Sequence, residues 1–335
     1  MLKKLINNAQ IEMEIIPIDP LLIKSGQATV GGVDMSFVRT YHHGGDEEPF
    51  IPGSSLKGMI RSYAEKICRS LRDVPVPVCL PYLSPRDRVG PGEERQFSCG
   101  LQLEKFKKDN RQPIIPSSDV YRLSCPACRM FGSQGFIGRF ATSDAYLSQR
   151  FRAQGRPVFE IRDGVAIDRL TGGTAGGAKY DLEVLTRGEF STTLEIRNFE
   201  YWQVGLIGLV LRDMEEGLVR IGSGKSRGLG RFKAKINRFY ITYYHRNPRN
   251  LTGIHTLCTE SDRGQYGLFT ESEEKSFSLP QAESHGLRYG YDLTETWKEA
   301  LTPAVTNLVR YIEQVDWPGS LEGYLGGGRH AVSRS

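Results

Sequence analysis

The sequence predicts an α+β protein, and three stretches carry that prediction. Residues 10 to 18 alternate apolar with polar positions, the period of a half-buried strand. From Leu56 the period changes: Leu56, Met59, Ile60, Tyr63, Ala64, Ile67 and Leu71 recur at helical spacing. Residues 163 to 185 then form two extended arms around a tip rich in glycine, a long hairpin. A chain of 335 residues, 39% hydrophobic and 25% charged, is globular and long enough for one large or two modest domains.

Taken in order, the first strand leads through Leu21-Leu22-Ile23-Lys24-Ser25-Gly26 to Val30-Gly31-Gly32-Val33-Asp34. Paired glycines allow close backbone approach, so Asp34 on the following loop is a candidate functional acid; a turn aspartate bonding its own backbone is the commoner role for such a residue. A second extended run, Met35 to Arg39, follows. The helix then starts at Ile51-Pro52-Gly53-Ser54-Ser55-Leu56-Lys57-Gly58-Met59-Ile60-Arg61. Ser54 or Ser55 is placed to cap it, and the free N–H groups of the first turn with Lys57 and Arg61 would seat a phosphate. Solvated lysine and arginine at an ordinary helix start explain the same pattern.

Residues 74 to 118 hold seven prolines and no sustained period, so this long segment needs its own source of order. Cysteines offer one. Cys125-Pro126-Ala127-Cys128 is a pair with metal-ligand spacing, and Cys79 and Cys99 lie upstream; four thiolates would close a tetrahedral zinc site. Packed thiols without metal are the alternative. Cys68 falls on the apolar face of the helix, and Cys258 has no partner nearby. The chain has no run of 18 apolar residues and no signal-peptide core, which predicts a soluble, cytoplasmic protein whose cysteines are thiols or ligands, with no membrane partner.

Beyond the cysteine pair, Met130 to Ala145 read as a turn leading into a strand, and Phe190, Leu194 and Ile196 as another. The apolar run up to residue 211 fits strand or helix. The net charge of +5 is unevenly spread: from Gly217 to Arg238 there are seven basic residues and no acid, whereas from Glu271 to Asp316 nine acids face four bases. The basic region centres on Arg220-Ile221-Gly222-Ser223-Gly224-Lys225-Ser226-Arg227-Gly228-Leu229-Gly230-Arg231. Small residues there let backbone N–H groups approach phosphates while Lys225 and Arg227 neutralise them. The glycine spacing fails both the P-loop and the dinucleotide fingerprints, so a phosphodiester backbone is the better ligand.

Four of these motifs occur in an order that resembles the RAMP superfamily of CRISPR proteins: Ile-Pro-Gly-Ser-Ser-Leu-Lys-Gly, Cys-Pro-x-Cys-Arg-x-Phe-Gly, Val-Ala-Ile-Asp-Arg-x-Thr and Gly-x-Gly-Lys-Ser-Arg-Gly-Leu-Gly. The resemblance spans about residues 8 to 240. Within the superfamily the chain looks most like the backbone subunit of type III (Csm/Cmr-like) effector complexes. Its cysteine-rich insertion, 74–128, looks closest to the zinc-bearing domains of type III-D and III-E systems. The first loop departs from the pattern, with Leu22 and Ile23 where many relatives carry His.

The resemblance implies an RRM-like, ferredoxin-like core over residues 1–240 that binds CRISPR RNA. Ser54, Ser55, Lys57 and Arg61, with Gly222, Gly224, Lys225, Ser226 and Arg227 of the 220–231 loop, would hold guide phosphates. The 165–185 hairpin, with Ile167, Arg169 and Thr171, would be a thumb that splays the paired target RNA. Gly31-Gly32-Val33-Asp34 matches the context of the target-cleaving acid, so Asp34 would act as base or as anchor for Mg2+ or Mn2+. Cys79, Cys99, Cys125 and Cys128 would hold structural zinc. Implied partners are other RAMP backbone subunits and the large polymerase-like subunit. Two other readings keep the fold: a guide-binding subunit without catalysis, and a ribonuclease processing precursor CRISPR RNA, for which His42 and His43 are the core histidines. Residues 241–335 match nothing in that core; they carry a plausible helix from Leu293 to Val315 and are expected to form a subunit contact.

Overall fold

The computed structural model describes residues 3–26, 33–41, 45–80, 98–111, 114–271 and 276–331. Gly31, Gly32, His42 and His43 lie outside them. Strand β1 (Asn7–Pro17) is the centre of the main sheet. Its alternation is real: Ala9, Ile11, Met13 and Ile15 are buried while Asn8, Gln10 and Glu12 are half-buried on the other face.

Helix α1 (Gly53–Leu71) buries Leu56, Met59, Ile60, Ala64 and Cys68 along one stripe. Three short helices follow, α2 (Cys99–Asp109), α3 (Ser117–Leu123) and α4 (Pro126–Phe131). The segment expected to be irregular is therefore partly helical. Pro116 stands at the N-cap of α3 and Pro126 at the first position of α4, where a missing N–H costs nothing. Strand β2 (Phe140–Thr142) enters the sheet, and a two-stranded hairpin of β3 (Val158–Ile167) and β4 (Thr174–Arg187) stands apart from it. Then come β5 (Phe190–Arg197), α5 (Tyr201–Glu215) and β6 (Phe232–Tyr244).

All the pairings in the main sheet are antiparallel, and its centre reads β6-β1-β5-β2. With α1 and α5 as its helices, this is a split βαββαβ unit with the hairpin inserted between its second and third strands. In register, Ile11 stands opposite Leu194 of β5 and Phe239 of β6.

Helix α5 resolves the ambiguous apolar run. Tyr201, Trp202, Val204, Leu206, Ile207, Val210, Leu211 and Met214 are buried on every side, because the helix lies between the sheet and a further helix, α6 (Trp297–Gln314). A helix covered all round loses the amphipathic stripe that would have marked it. Trp202 stacks on Tyr311 with ring centroids 4.1 Å apart. Gly205 permits the approach: a Cβ there would come within 2.2 Å of the Ala304 carbonyl oxygen.

A division of the chain at residue 240 falls inside β6, which runs to Tyr244 and pairs with β7 (Arg288–Asp292). Arg72, just after α1, donates to the carbonyls of Val315 and Trp317, both at 2.9 Å. The C-terminal residues thus extend the sheet and cover α5.

Candidate nucleic-acid interface and cysteine centre

Cys79 precedes α2, Cys99 opens it, Cys125 caps α4 and Cys128 lies in its first turn. Their four sulfurs all lie within 4.8 Å of one another and are buried, and none is in a disulfide. The Cys79–Cys128 and Cys79–Cys125 sulfur pairs are 3.6 Å apart. Tetrahedral zinc with bonds of about 2.3 Å puts its sulfurs about 3.8 Å apart, so this set can hold a metal such as zinc. Burial would raise the Cys125 thiol, yet hydrogen bonds from Cys128, Cys79 and Cys99 hold it well below the ordinary thiol value. Cys68 stays outside the cluster, on the core face of α1, with its thiol pushed up by burial.

Arg61 belongs to this centre. Its guanidinium donates to Cys128 Sγ at 3.4 Å, to the Gly132 carbonyl at 2.9 Å and to Glu65 at 2.9 Å. Burial opposes its charge, but the Cys128 sulfur and Glu65 outweigh it and raise the Arg61 pKa. The expectation of a serine cap on α1 is corrected: the helix begins at Gly53 with Pro52 as N-cap and no side-chain cap. Instead the Asp144 carboxylate accepts the Gly53 N–H at 2.6 Å, so an acid already meets the end offered to phosphate. Ser54 is exposed and Ser55 half-buried. Lys57 is half-buried, and burial together with Arg61 lowers its pKa.

The glycine-rich loop closes on itself through an Arg220–Arg231 bridge and an Ile221 N–H to Gly230 bond of 2.8 Å. Gly222 has φ +80 and a Cβ there would meet the Leu22 carbonyl oxygen at 2.3 Å, while Ser223 N–H donates to the same carbonyl. Lys225, Ser226 and Arg227 are left exposed at the tip, with Gly224 half-buried before them. Burial, and then the charge of Lys66 on α1, lowers the Lys225 pKa. Among the described residues no carboxylate pairs with either lysine. Two cations without a counter-charge suit a polyanion. Lys66 was not legible from sequence, because its nearness to Lys225 exists only in the fold.

The hairpin tip is a tight turn: Asp168 accepts from the Leu170 N–H through its side chain and from the Gly172 N–H through its carbonyl. Arg169 and Thr171 are exposed there, as are Ile167 at 60% and Leu170 at 95%, an apolar tip in water. Midway along the hairpin, Asp34 is exposed and its Oδ2 accepts the Asp181 backbone N–H at 3.0 Å. Met35 bridges Leu182, and Arg39 grips Glu183 with two bonds of 2.8 and 2.6 Å, fixing residues 34–39 against β4. Arg227 Nη1 donates to the hydroxyl of Tyr180, the residue before Asp181. Two adjacent residues of β4 therefore hold the glycine-rich loop on one hand and Asp34 on the other. A hydrogen bond with Asp163, then burial and the charges of Asp163 and Asp34, raise the Asp181 carboxyl. These three aspartates do not bring ligating oxygens together as the cysteines do; among the described residues the cysteine quartet is the only such group.

No helix among the described residues is long and apolar enough to cross a membrane. No curated protein sequence matches the chain. A solved structure titled "Type IV-B CRISPR Complex" contains a chain with 14% identity and a TM-score of 0.44, covering 68% of this chain and 90% of that one. Residues 15–233 match the RAMP superfamily, a span from the end of β1 through the cysteine centre and hairpin to the start of β6. The chain belongs to the RAMP superfamily.

Proposed function

We propose that this protein is a guide-binding backbone subunit of a type III CRISPR effector complex that cuts paired target RNA with Asp34. The observation that carries the proposal is the meeting of the exposed acid and the basic loop at Asp181 and Tyr180. Lys66, Lys225 and Arg227 would take guide phosphates, and Lys57 lies further along the same helix; Arg61, committed to the cysteine centre, is withdrawn from that list. The exposed apolar tip around Ile167 and Leu170 suits insertion between stacked bases. Cys79, Cys99, Cys125 and Cys128 would hold zinc, which ties the insertion to α1. Neighbouring RAMP subunits and a large polymerase-like subunit are the proposed protein partners.

In the proposed cut, Asp34 takes the proton of the 2′-hydroxyl, the 2′-oxygen attacks the adjacent phosphorus, and the bond to the 5′-oxygen breaks. The leaving 5′-oxygen is protonated by water, giving a 2′,3′-cyclic phosphate and a 5′-hydroxyl. The aspartates around Asp34 do not form a Mg2+ or Mn2+ site among the described residues, and no step is assigned to one. A scaffold role without catalysis is the competing reading, favoured by Asp163 and Asp181, whose carboxylates oppose the approach of a phosphodiester. Cleavage of target RNA by the assembled complex, wild type against Asp34→Ala with target binding measured in parallel, separates the two: lost cuts with retained binding support catalysis, and surviving cuts leave the scaffold.

A further inference from the structure

The β3–β4 hairpin stands apart from the main sheet, and its two edges are treated differently. On β4 the backbone groups of Asp181, Glu183 and Leu185 turn outward and bond to Met35 and Leu21 at 2.8 to 3.1 Å. Arg162 opposite Leu182, and Glu160 opposite Val184, therefore bond inward to β4. Phe159, Ile161, Asp163 and Val165 then aim their N–H and C=O groups the other way, along the outer edge of β3. Among the described residues no strand pairs with that edge. It is in water, with Ile161 65% and Val165 49% exposed. From Phe159 to Val165 the hairpin register is unbroken, with irregularities only on either side. An open, regular edge carrying exposed apolar residues is a template for another strand, and a two-stranded ribbon is marginal in water without one.

We propose that this edge pairs with the same edge of a second copy of the chain, β3 antiparallel to β3, with Ile161 on the two-fold axis. The residues themselves select the partner and the register. An isologous antiparallel pair must set outward-facing residues opposite one another, so its axis passes through one residue position of β3. An axis at Glu160, Arg162 or Asp163 puts two like charges face to face, which destabilises a pair. An axis at Gly164 sets two glycines opposite each other and leaves Arg162 and Asp163 facing apolar residues. At Ile161 the two isoleucines meet, and each copy's Glu160 stands opposite the other's Arg162, once on each side of the axis. Within one chain Arg162 already reaches Glu160 at 3.0 Å, so in the pair each guanidinium lies between two carboxylates. The product is a closed four-stranded sheet, β4-β3-β3-β4. Such a contact is small beside the about 800 Å² per partner of a stable interface, so the dimer is weak, with a dissociation constant in the micromolar range. This state belongs to the chain free of RNA and goes beyond guide binding and target cleavage.

Sedimentation equilibrium of the full chain, nuclease-treated and free of RNA, over a concentration series up to the near-millimolar range tests this. The expected result is a monomer–dimer equilibrium with no larger species, because an isologous contact closes at two copies. Ile161→Lys, at an exposed position, leaves the melting temperature unchanged and weakens the dimer at least tenfold, since it sets two ammonium groups together on the axis. Glu160→Lys weakens it severalfold, and Glu160→Lys combined with Arg162→Glu restores it. A cysteine at the axis reports the register. Ile161→Cys is expected to cross-link to itself under mild oxidation, because hydrogen-bonded antiparallel partners have Cα atoms about 5.5 Å apart, within disulfide reach. Leu218→Cys, equally exposed but elsewhere, does not cross-link, and the native cysteines are buried. A chain that stays monomeric throughout, a dimer that Ile161→Lys leaves intact, or a double charge variant no better than Glu160→Lys overturns the proposal. So does cross-linking at residue 218 as efficient as at 161. None of these readouts involves guide or target RNA, so either idea can fail alone.

Discussion

The Asp34 carboxylate and the Asp181 backbone are joined by a 3.0 Å hydrogen bond that fastens an exposed acid to the middle of the β3–β4 hairpin. Asp34→Ala removes the acid without removing packing, since the side chain is exposed. Target cleavage in the assembled complex is expected to fall by about 100-fold or more, the scale of a lost general base, with target affinity unchanged. Gel analysis of end-labelled target reads both.

Arg39 and Glu183 hold that acid's segment in place. The two guanidinium bonds, and the 2.9 Å bond from the Phe37 N–H, hold the Glu183 carboxyl below its usual value. Glu183→Gln should cost about 1–3 kcal/mol at neutral pH. A depressed pKa stabilises the fold above the unfolded value, near 4.3, and that stabilisation is lost as pH falls through the folded value. The gap between wild type and variant in urea titrations is therefore expected to be full at pH 7 and to close below about pH 4.

For the cysteine centre, elemental analysis is expected to give about one zinc per chain, and Cys125→Ser with Cys128→Ser to abolish it. Chelation should lower the melting temperature. Arg61→Ala should weaken zinc retention in competition with a chelator, because it removes the cation beside Cys128.

Lys66→Ala and Lys225→Ala are each expected to weaken guide RNA binding and to reduce the slope of log affinity against log salt by about 0.7. Filter binding across a salt series measures this. An unchanged slope for Lys66→Ala would remove α1 from the phosphate path.

Gly205→Ala tests whether the C-terminal residues belong to the core. The added methyl meets the Ala304 carbonyl, which the facing helix cannot readily move, so a loss of about 1–3 kcal/mol is expected in denaturant unfolding.

Elements with a sustained period were legible in the sequence. β1 and α1 each bury one face, so Ile11, Met13 and Ile15, or Leu56, Met59 and Ile60, announce their structure. Helices α3 and α4 were not, since two turns are too short to establish a period and their prolines read as breakers although they stand at helix starts. The cysteine quartet was legible because Cys125 and Cys128 carry ligand spacing in the chain itself. The role of Arg61, the Asp144 contact at α1, the Lys66–Lys225 approach and the Tyr180–Arg227 bond were not, because each joins residues remote in sequence whose types are ordinary on any surface. The split at residue 240 followed the end of the recognisable motifs, whereas the core continues through β7 and α6.

The position of β1 sets a schedule for the protein's birth. This strand has both its neighbours far downstream, with Asn8 facing Arg197 and Asn7 facing Tyr243. At about 5–20 residues per second of synthesis, Ile11, Met13 and Ile15 leave the ribosome on the order of ten seconds or more before any partner strand exists. A nascent chain with an unpaired apolar strand is open to adhesion to its siblings on the same polysome. Slower initiation or a holding chaperone at the exit tunnel should therefore raise the yield of folded protein more than any change made after release.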